Sequence, residues 1–153
     1  MATTADNVIV KDVNNVIEYP ILKDGTGDIN GGDMVYMDTT NHNVLAADTD
    51  AHCQYFCGVA KDTTYKNPFG TKIYDPCLAV FNKGIASFKT TGSESYYHGT
   101  TVYIGADAQT VTTVSGSYSI GYVWKPNSTA VTTGATGTNV DVLIQARFPF
   151  LGV

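Results

Sequence analysis

The chain has 153 residues, a mass of 16.3 kDa and a formal net charge of −5 at pH 7. Its length suits one domain with a hydrophobic core, and a hydrophobic content of 43% excludes a disordered chain. The acidic balance argues against binding to nucleic acid or to an anionic membrane, because both need clustered cations.

The sequence gives no indication of a secretory signal, a membrane span or a framework of disulfides. Residues 1–10 contain no basic run and no apolar stretch of the kind that forms a signal peptide, so we expect no secretory signal. No run of about 18 apolar residues is present, so we expect no segment that spans a bilayer. The three cysteines, Cys53, Cys57 and Cys77, favour reduced thiols over a framework of disulfides, because their number is odd.

The composition favours strands over helices. Tyr occurs 10 times and Gly 15 times, whereas Glu occurs only at Glu18 and Glu94. Short apolar runs between turn residues predict strands, in chain order, at residues 34–37, 54–57, 77–81, 84–88, 101–104, 119–124 and 140–146. Short helical turns are expected within residues 46–55 and 92–98. Strands this short, with turns this frequent, predict a mainly β domain built as a small barrel or sandwich.

Five segments recur in the same order in the two halves of the chain. In chain order, and with their offsets, residues 21–23 match 87–89 (66), 32–38 match 99–105 (67), 44–45 match 111–112 (67), 58–61 match 121–124 (63) and 77–81 match 141–145 (64). We therefore predict half-repeats at about residues 18–83 and 84–147, which pack together to close one barrel-like core. The alternative is chance similarity among short β segments.

The N-terminal end lies outside this repeat and is apolar. Residues 1–17 include Val8, Ile9, Val10 and Val13 and have no recognisable counterpart in the second half. An exposed apolar segment is a liability unless something covers it. Two interpretations stay open: an extra edge strand of the same domain, or an arm that pairs with a neighbouring chain by strand addition.

The C-terminal tail, residues 148–153, is also apolar. It carries Phe148, Phe150 and Leu151, where chain ends are usually polar. We expect these three side chains to be buried at a boundary between subunits. The predicted organisation is then an arm over residues 1–17 followed by a single β domain over residues 18–153.

The sequence contains no recognisable catalytic or cofactor motif. The nucleophile elbow Gly-x-Ser-x-Gly and the phosphate-binding Gly-Lys-Ser/Thr are both missing. His52 lies close to Cys53 and Cys57, but a structural zinc site needs a second close pair of ligands, which the isolated Cys77 does not supply. We therefore expect no enzyme activity, no cofactor and no metal.

A few aromatic residues are compatible with a binding function. Tyr96, Tyr97 and Trp124 could stack on sugars, as aromatic side chains do in carbohydrate-binding modules. The alternative is that they are anchors of the core or of an interface.

The repeated segments carry a family resemblance. Residues 32–38 (GDMVYMD), followed by 44–47 (VLAA) and 56–62 (FCGVAKD), resemble the head decoration proteins of tailed phages, also called capsid cement, stabilisation or auxiliary proteins. The second half of such proteins is similar to four segments of this chain: residues 84–86, 102–103, 121–123 and 140–147. The resemblance covers about residues 18–147 and consists of strands and turns, not of a catalytic signature.

The resemblance implies a small β-barrel or β-tulip and a homotrimer on the outer surface of the phage head. It implies a structural, non-enzymatic virion protein that is made in the host cytoplasm, binds the major capsid protein and stabilises the head. The four apolar arm residues named above then contact the capsid, and the three C-terminal residues named above then form the trimer contact. A carbohydrate-binding or other surface adhesion module of a virion is the alternative function.

Overall fold

The chain folds mainly into β-strands. The structure is a computed structural model, and it describes residues 9–20, 29–61, 77–91, 94–124, 131–133 and 139–147. The strands are β1 (Ile9–Pro20), β2 (Met34–Asp38), β3 (Asn43–Ala46), β4 (Phe56–Ala60), β5 (Cys77–Thr90), β6 (Glu94–Tyr96), β7 (Thr101–Ile104), β8 (Thr110–Thr112), β9 (Gly121–Val123), β10 (Val131–Thr133) and β11 (Asn139–Gln145). A 3₁₀ helix covers Asp50–Tyr55.

Five strands close into a barrel in the described part of the chain. Around the ring, β5 pairs with β11, β11 with β9, β9 with β7, β7 with β8, and β8 returns to β5. The last pairing is parallel, at Lys89 and Thr90 of β5, and the others are antiparallel. β4, β2 and β3 continue the sheet from the first part of β5, β1 also pairs with β5, and β6 and β10 form a separate two-stranded sheet. The predicted mainly β fold with a small barrel is confirmed.

The strands predicted at residues 77–81 and 84–88 are one continuous strand, β5. Its first part pairs with β4 at Val80 and Phe81, and its second part pairs with β11 from Lys83 to Lys89. The sequence suggested a break because turn-favouring Asn and Gly residues lie between the two apolar runs. The predicted boundary after residue 83 therefore falls in the middle of a strand that both halves use.

The strand pairings repeat in the two halves of the chain. Met37 of β2 pairs with Val44 of β3, and their counterparts 67 positions later, Ile104 of β7 and Val111 of β8, pair with each other. Further equivalent pairs are Tyr36–Leu45 and Tyr103–Thr112, Val35–Gly58 and Val102–Gly121, and Met34–Val59 and Thr101–Tyr122. β2, β3 and β4 thus correspond to β7, β8 and β9.

The pairings correct one predicted offset. Val59 of β4 pairs with Phe81 of β5. Its counterpart Tyr122 pairs with Leu143 of β11, so β5 and β11 correspond with an offset of 62 and not 64. The error of two residues keeps every side chain on the same face, because side chains alternate with a period of two along a strand.

β1 also has a counterpart, which the sequence did not reveal. Residues 16–20 pair with residues 77–81, and residues 85–89 pair with residues 139–143. With the offset of 62 between their partners, residues 16–20 of β1 correspond to residues 85–89 of β5, at an offset of 69. The predicted match of residues 21–23 with 87–89 was therefore misplaced.

The buried side chains of the described residues form two hydrophobic clusters, which contain equivalent positions of the repeat. The first cluster includes Val35, Met37, Val44, Cys57, Ala60, Leu78 and Val80, and their counterparts in the second are Val102, Ile104, Val111, Ile120, Val123, Val140 and Val142. One face of each strand supplies these buried side chains. The second cluster also contains Met34, Ala47, Phe56 and Val59 of the first half, so the two halves share it. The sequence did not reveal the separate cluster within the first half.

Gly58 of β4 and Gly121 of β9 occupy equivalent positions where two strands approach closely. A Cβ atom at Gly58 would strike the carbonyl oxygen of Phe81, and a Cβ atom at Gly121 would strike that of Leu143. Gly58 also has a φ of 134°, which L side chains rarely adopt. The repeated glycine is therefore required by the close approach of β4 and β9 to the next strand.

The first half packs on the second through four completely buried side chains, which we call the packing face: Met34, Ala47, Phe56 and Val59. Backbone contacts reinforce this packing. The Met34 N–H donates to the carbonyl oxygen of Ala108 at 2.7 Å. The Asp50 carboxylate accepts the N–H groups of Ser117 and Tyr118, at 2.9 and 3.2 Å.

Of the two predicted helical turns, one is confirmed and one is wrong. The 3₁₀ helix at Asp50–Tyr55 lies within the predicted range of 46–55. In the range 92–98, however, Glu94–Tyr96 form β6, which pairs with β10, and residues 92–93 lie outside the described residues.

Candidate functional site

The predicted arm lies in the chain's own sheet where the structure describes it. β1 pairs antiparallel with β5 along its whole length. Ile9, Val10 and Val13 therefore belong to a strand of the same domain, as in the edge-strand interpretation, and β1 continues without a break past residue 17. Val8 lies outside the described residues.

β1 is an edge strand among the described residues, where β5 is its only strand partner. Register shifts interrupt the ladder between Val10 and Asp12, between Val13 and Asn15, and between Asn15 and Val16. Such bulges increase the local twist of a sheet edge. An edge strand in general presents backbone N–H and C=O groups to which a further strand can be added.

The residues of the predicted C-terminal contact, Phe148, Phe150 and Leu151, lie outside the described residues. The last described residue, Arg147, donates its N–H to the carbonyl oxygen of Phe56 at 2.8 Å. The described chain therefore ends beside the start of β4.

Exposed aromatic side chains gather beside β9, and we call them the aromatic surface: Tyr97, His98, Tyr122 and Trp124. Tyr97, Tyr122 and Trp124 are 54%, 45% and 40% exposed. The rings of His98 and Trp124 meet edge to face, with centroids 5.1 Å apart. The turn that carries Tyr97 and His98 is held on β9, because the Gly99 N–H donates to the Val123 carbonyl oxygen at 2.8 Å.

Two of the three aromatic residues singled out from the sequence lie on this surface, and the third does not. Tyr97 and Trp124 are exposed, whereas Tyr96 is completely buried. Tyr96 is the last residue of β6 and faces the core, whereas Tyr97 lies in the turn that follows the strand. Sequence reasoning missed Tyr122, which could have been found by comparing it with Val59 at the equivalent position of the repeat.

Tyr96 is an anchor of the core. Its hydroxyl oxygen lies 2.8 Å from the Glu94 carboxylate and 3.1 Å from the carbonyl oxygen of Val111. Burial raises the pKa of Tyr96, and the hydrogen bond and charge of Glu94 raise it further. The phenol therefore stays protonated and fixes β6 against β8.

Glu94 is the acceptor of a compact hydrogen-bond cluster. Its carboxylate accepts the Thr112 hydroxyl at 2.6 Å and the Thr113 N–H at 2.6 Å, in addition to the bond from Tyr96. Burial by itself would raise the pKa of Glu94, but these hydrogen bonds outweigh it and hold the pKa below its ordinary value. Glu94 is thus engaged in structure and is not poised as a general acid.

A second polar cluster surrounds the 3₁₀ helix. The His52 ring stacks on Tyr36, with centroids 4.0 Å apart and planes 4° from parallel, and its Nδ1 lies 3.0 Å from Oδ1 of Asp48. Burial raises the pKa of Tyr36, and the charges of Asp38 and Asp48 add to this effect. Within the described ranges, no three His, Cys, Asp or Glu side chains are arranged to hold a metal ion.

Cys53 is a buried free thiol. Burial raises its pKa to about 12, the Asp50 charge also raises it, and the Arg147 charge opposes them. A thiol in this state is protonated at neutral pH and is neither a nucleophile nor a good metal ligand.

No protein-family model matches the sequence. A comparison with curated proteins gives no match either. In the part of the chain that the structure describes, no helix is long and apolar enough to cross a membrane.

Proposed function

We propose that this protein decorates and stabilises the exterior of a phage head, binding as a homotrimer across neighbouring major capsid protein subunits. One observation supports this most: the segments that resemble decoration proteins are the strands of the repeated fold. Residues 32–38 contain β2, residues 56–62 contain β4, and residues 121–123 are β9. Of these strands, β9 belongs to the barrel, and β4 and β2 extend the same sheet from β5. A small barrel is the kind of fold that the resemblance implies.

Capsid binding is assigned to the N-terminal end of the chain. Residues 1–8 and the outer edge of β1, with Ile9, Val10 and Val13, would pair with an extended segment of the capsid protein. Strand addition supplies main-chain hydrogen bonds and needs no sequence-specific pocket. Three copies of a weak contact in one trimer become a strong one, because the second and third contacts form at high effective concentration.

The test is cosedimentation with decoration-free heads of the same phage. Deletion of residues 1–8 leaves all paired residues of β1 in place, so we expect it to keep the fold and the solution mass but to lose at least about tenfold in head binding. The exposed substitution Ser95→Ala, on β6, is the matched control and should bind like the original chain. A second deletion, of residues 1–15, also removes the outer edge of β1; if this form still saturates the heads, capsid binding through the arm is wrong.

The aromatic surface supports a second candidate function, a carbohydrate-binding or other adhesion module of a virion. Exposed Tyr and Trp rings on a rigid strand and turn are the groups on which sugar rings stack. Trp124 is the sole tryptophan, so its fluorescence reports on this surface directly. Saturable quenching of this fluorescence by a panel of glycans, lost in Tyr97→Ala, would favour adhesion over head decoration.

A further inference from the structure

The contact between the two halves has two sides, and the repeat supplies an uncovered counterpart of each. The first side is the packing face, in which all four side chains are completely buried. Its counterparts in the second half, which we call the open face, are Thr101, Val114, Ser119 and Tyr122. Val114 and Tyr122 are 67% and 45% exposed, and Thr101 and Ser119 are half-buried.

The second side of the contact is the turn that precedes β8. Ala108 and Gln109 are only 1% and 2% exposed, because the first half lies on them. Their counterparts, 67 positions earlier, are Asn41 and His42 in the turn that precedes β3. Asn41 and His42 are both exposed. The first half thus carries the uncovered counterpart of the surface that it covers in the second half.

The uncovered turn is already held in a fixed conformation. Oδ1 of Asp38 accepts the Thr40 N–H at 3.0 Å, and Oδ2 accepts the Asn41 side-chain amide at 2.7 Å. The His42 N–H donates to the Asp38 carbonyl oxygen at 2.8 Å. A partner that docks on this turn therefore has little loop ordering to pay for.

The open face is prepared for contact in the same way. Its strand β9 and the turn at residues 97–100 repeat the backbone bonds of the first half: Gly99 N–H to Val123 O corresponds to Gly32 N–H to Ala60 O, both at 2.8 Å. The Thr101 N–H holds the position of the Met34 N–H, which donates across the half-to-half contact. Tyr122 and Trp124, at alternate positions, add two amphipathic rings of the kind enriched at protein interfaces.

We propose that copies of this chain associate head to tail, with the open face of one copy packed on the turn at residues 39–42 of the next. The contact repeats, between copies, the packing that already exists between the halves of one copy. Stacking of equivalent units leaves such faces uncovered at the two ends, where a further unit can add. A contact between two different surfaces is heterologous, and it closes into a ring when the rotation allows. The expected number of copies, three, rests on the proposed function, whereas both surfaces follow from the repeat.

The test uses one variant for each surface. Tyr122→Lys places a charge in the open face, and Asn41→Lys places one on the turn. We expect the original chain to give an oligomer by sedimentation equilibrium or native mass spectrometry, and each variant to weaken association at least about tenfold. Ser95→Lys, which lies on neither surface, is the charge-matched control and should associate like the original chain.

Mixing the two variants distinguishes a head-to-tail contact from a symmetric one. The Asn41→Lys copy keeps an intact open face, and the Tyr122→Lys copy keeps an intact turn. The mixture should therefore form a heterodimer at concentrations at which neither variant associates by itself. A symmetric contact through the open face alone would give no heterodimer, and that result overturns the proposal. The proposal is also overturned if the original chain stays monomeric at every concentration. It is likewise overturned if Trp124 fluorescence responds to sugars but not to protein concentration.

The outcomes also separate this inference from the proposed function. Copies that associate as described but do not bind heads leave the head-to-tail contact standing and remove the decoration function. An original chain that binds heads as a monomer would remove the head-to-tail contact and leave head binding standing.

Discussion

Gln109 and Asp33 are joined by a hydrogen bond of 2.7 Å between the Gln109 side-chain amide and the Asp33 carboxylate. Both side chains are almost completely buried. The other carboxylate oxygen of Asp33 accepts the Asn30 N–H at 2.8 Å. Because Asp33 precedes β2 and Gln109 precedes β8, this charge-assisted bond ties the two halves together in the interior.

Substitution Gln109→Leu removes this donor and leaves a buried carboxylate with fewer partners. We expect the free energy of unfolding to fall by about 1–3 kcal/mol, measured by urea denaturation. The exposed glutamine Gln145 provides the control, since Gln145→Leu should change the free energy of unfolding by less than about 0.5 kcal/mol. Equal losses from both substitutions would contradict the role assigned to the bond.

Alanine at Gly121 should destabilise the chain by steric conflict alone. The new Cβ meets the Leu143 carbonyl oxygen, and strand β11 must move away. We expect a loss of about 1–3 kcal/mol or more. Gly99→Ala tests the opposite case, because Gly99 has a φ of 84° but no neighbouring atom near the added methyl group; its loss should stay near 1–2 kcal/mol from backbone strain. A neutral Gly121→Ala would show that β9 and β11 can separate freely.

The hydrogen-bond cluster of Glu94 should make stability depend on pH. Its pKa in the folded chain lies below the ordinary value of 4.5, so the folded state takes up this proton less readily than the unfolded state. Glu94 therefore stabilises the fold above about pH 4.5, and this contribution is lost as the pH falls through the folded pKa. The free energy of unfolding of Glu94→Gln should lie about 1 kcal/mol below that of the original chain at pH 7, and the gap should shrink between pH 5 and 3. A gap that does not vary with pH would show that the charge of Glu94 contributes nothing.

Cys53 should resist alkylation in the native state. With a pKa of about 12, its thiolate at pH 8 is about a thousandfold scarcer than in the unfolded chain, where the pKa is near 9. Mass spectrometry of iodoacetamide-treated protein should therefore find Cys53 labelled at least about a thousandfold more slowly in buffer than in urea. Native labelling at the urea rate would mean that the 3₁₀ helix opens readily.

Most of the repeat could be predicted from the sequence because glycine and apolar positions recur where the backbone demands them. Gly58 and Gly121 are fixed by close strand approach, and Val35 and Val102 by burial. The offset of β11 was missed by two residues, since a shift of two leaves the inward and outward faces of a strand unchanged. Local pattern thus identifies strands better than it identifies their register.

The surfaces were harder to predict than the strands. Neighbouring tyrosines such as Tyr96 and Tyr97 look alike in a sequence, and only the sheet decides which one is inside. Tyr122 is exposed although its counterpart Val59 is buried, because only the first half has a neighbour on that face. The sequence left β1 open between an edge strand and an arm. Its partner β5 is shared by both halves, so a comparison of the two halves did not reveal the pairing.

The undivided strand β5 has a consequence for how the chain melts. Its residues pair with strands of both halves, and no linker separates the two halves at this point. Loss of order in either half strips hydrogen bonds from the other, so the two are thermodynamically coupled. We expect differential scanning calorimetry to record a single unfolding transition for both halves. We also expect that a fragment ending at the centre of β5 does not fold by itself.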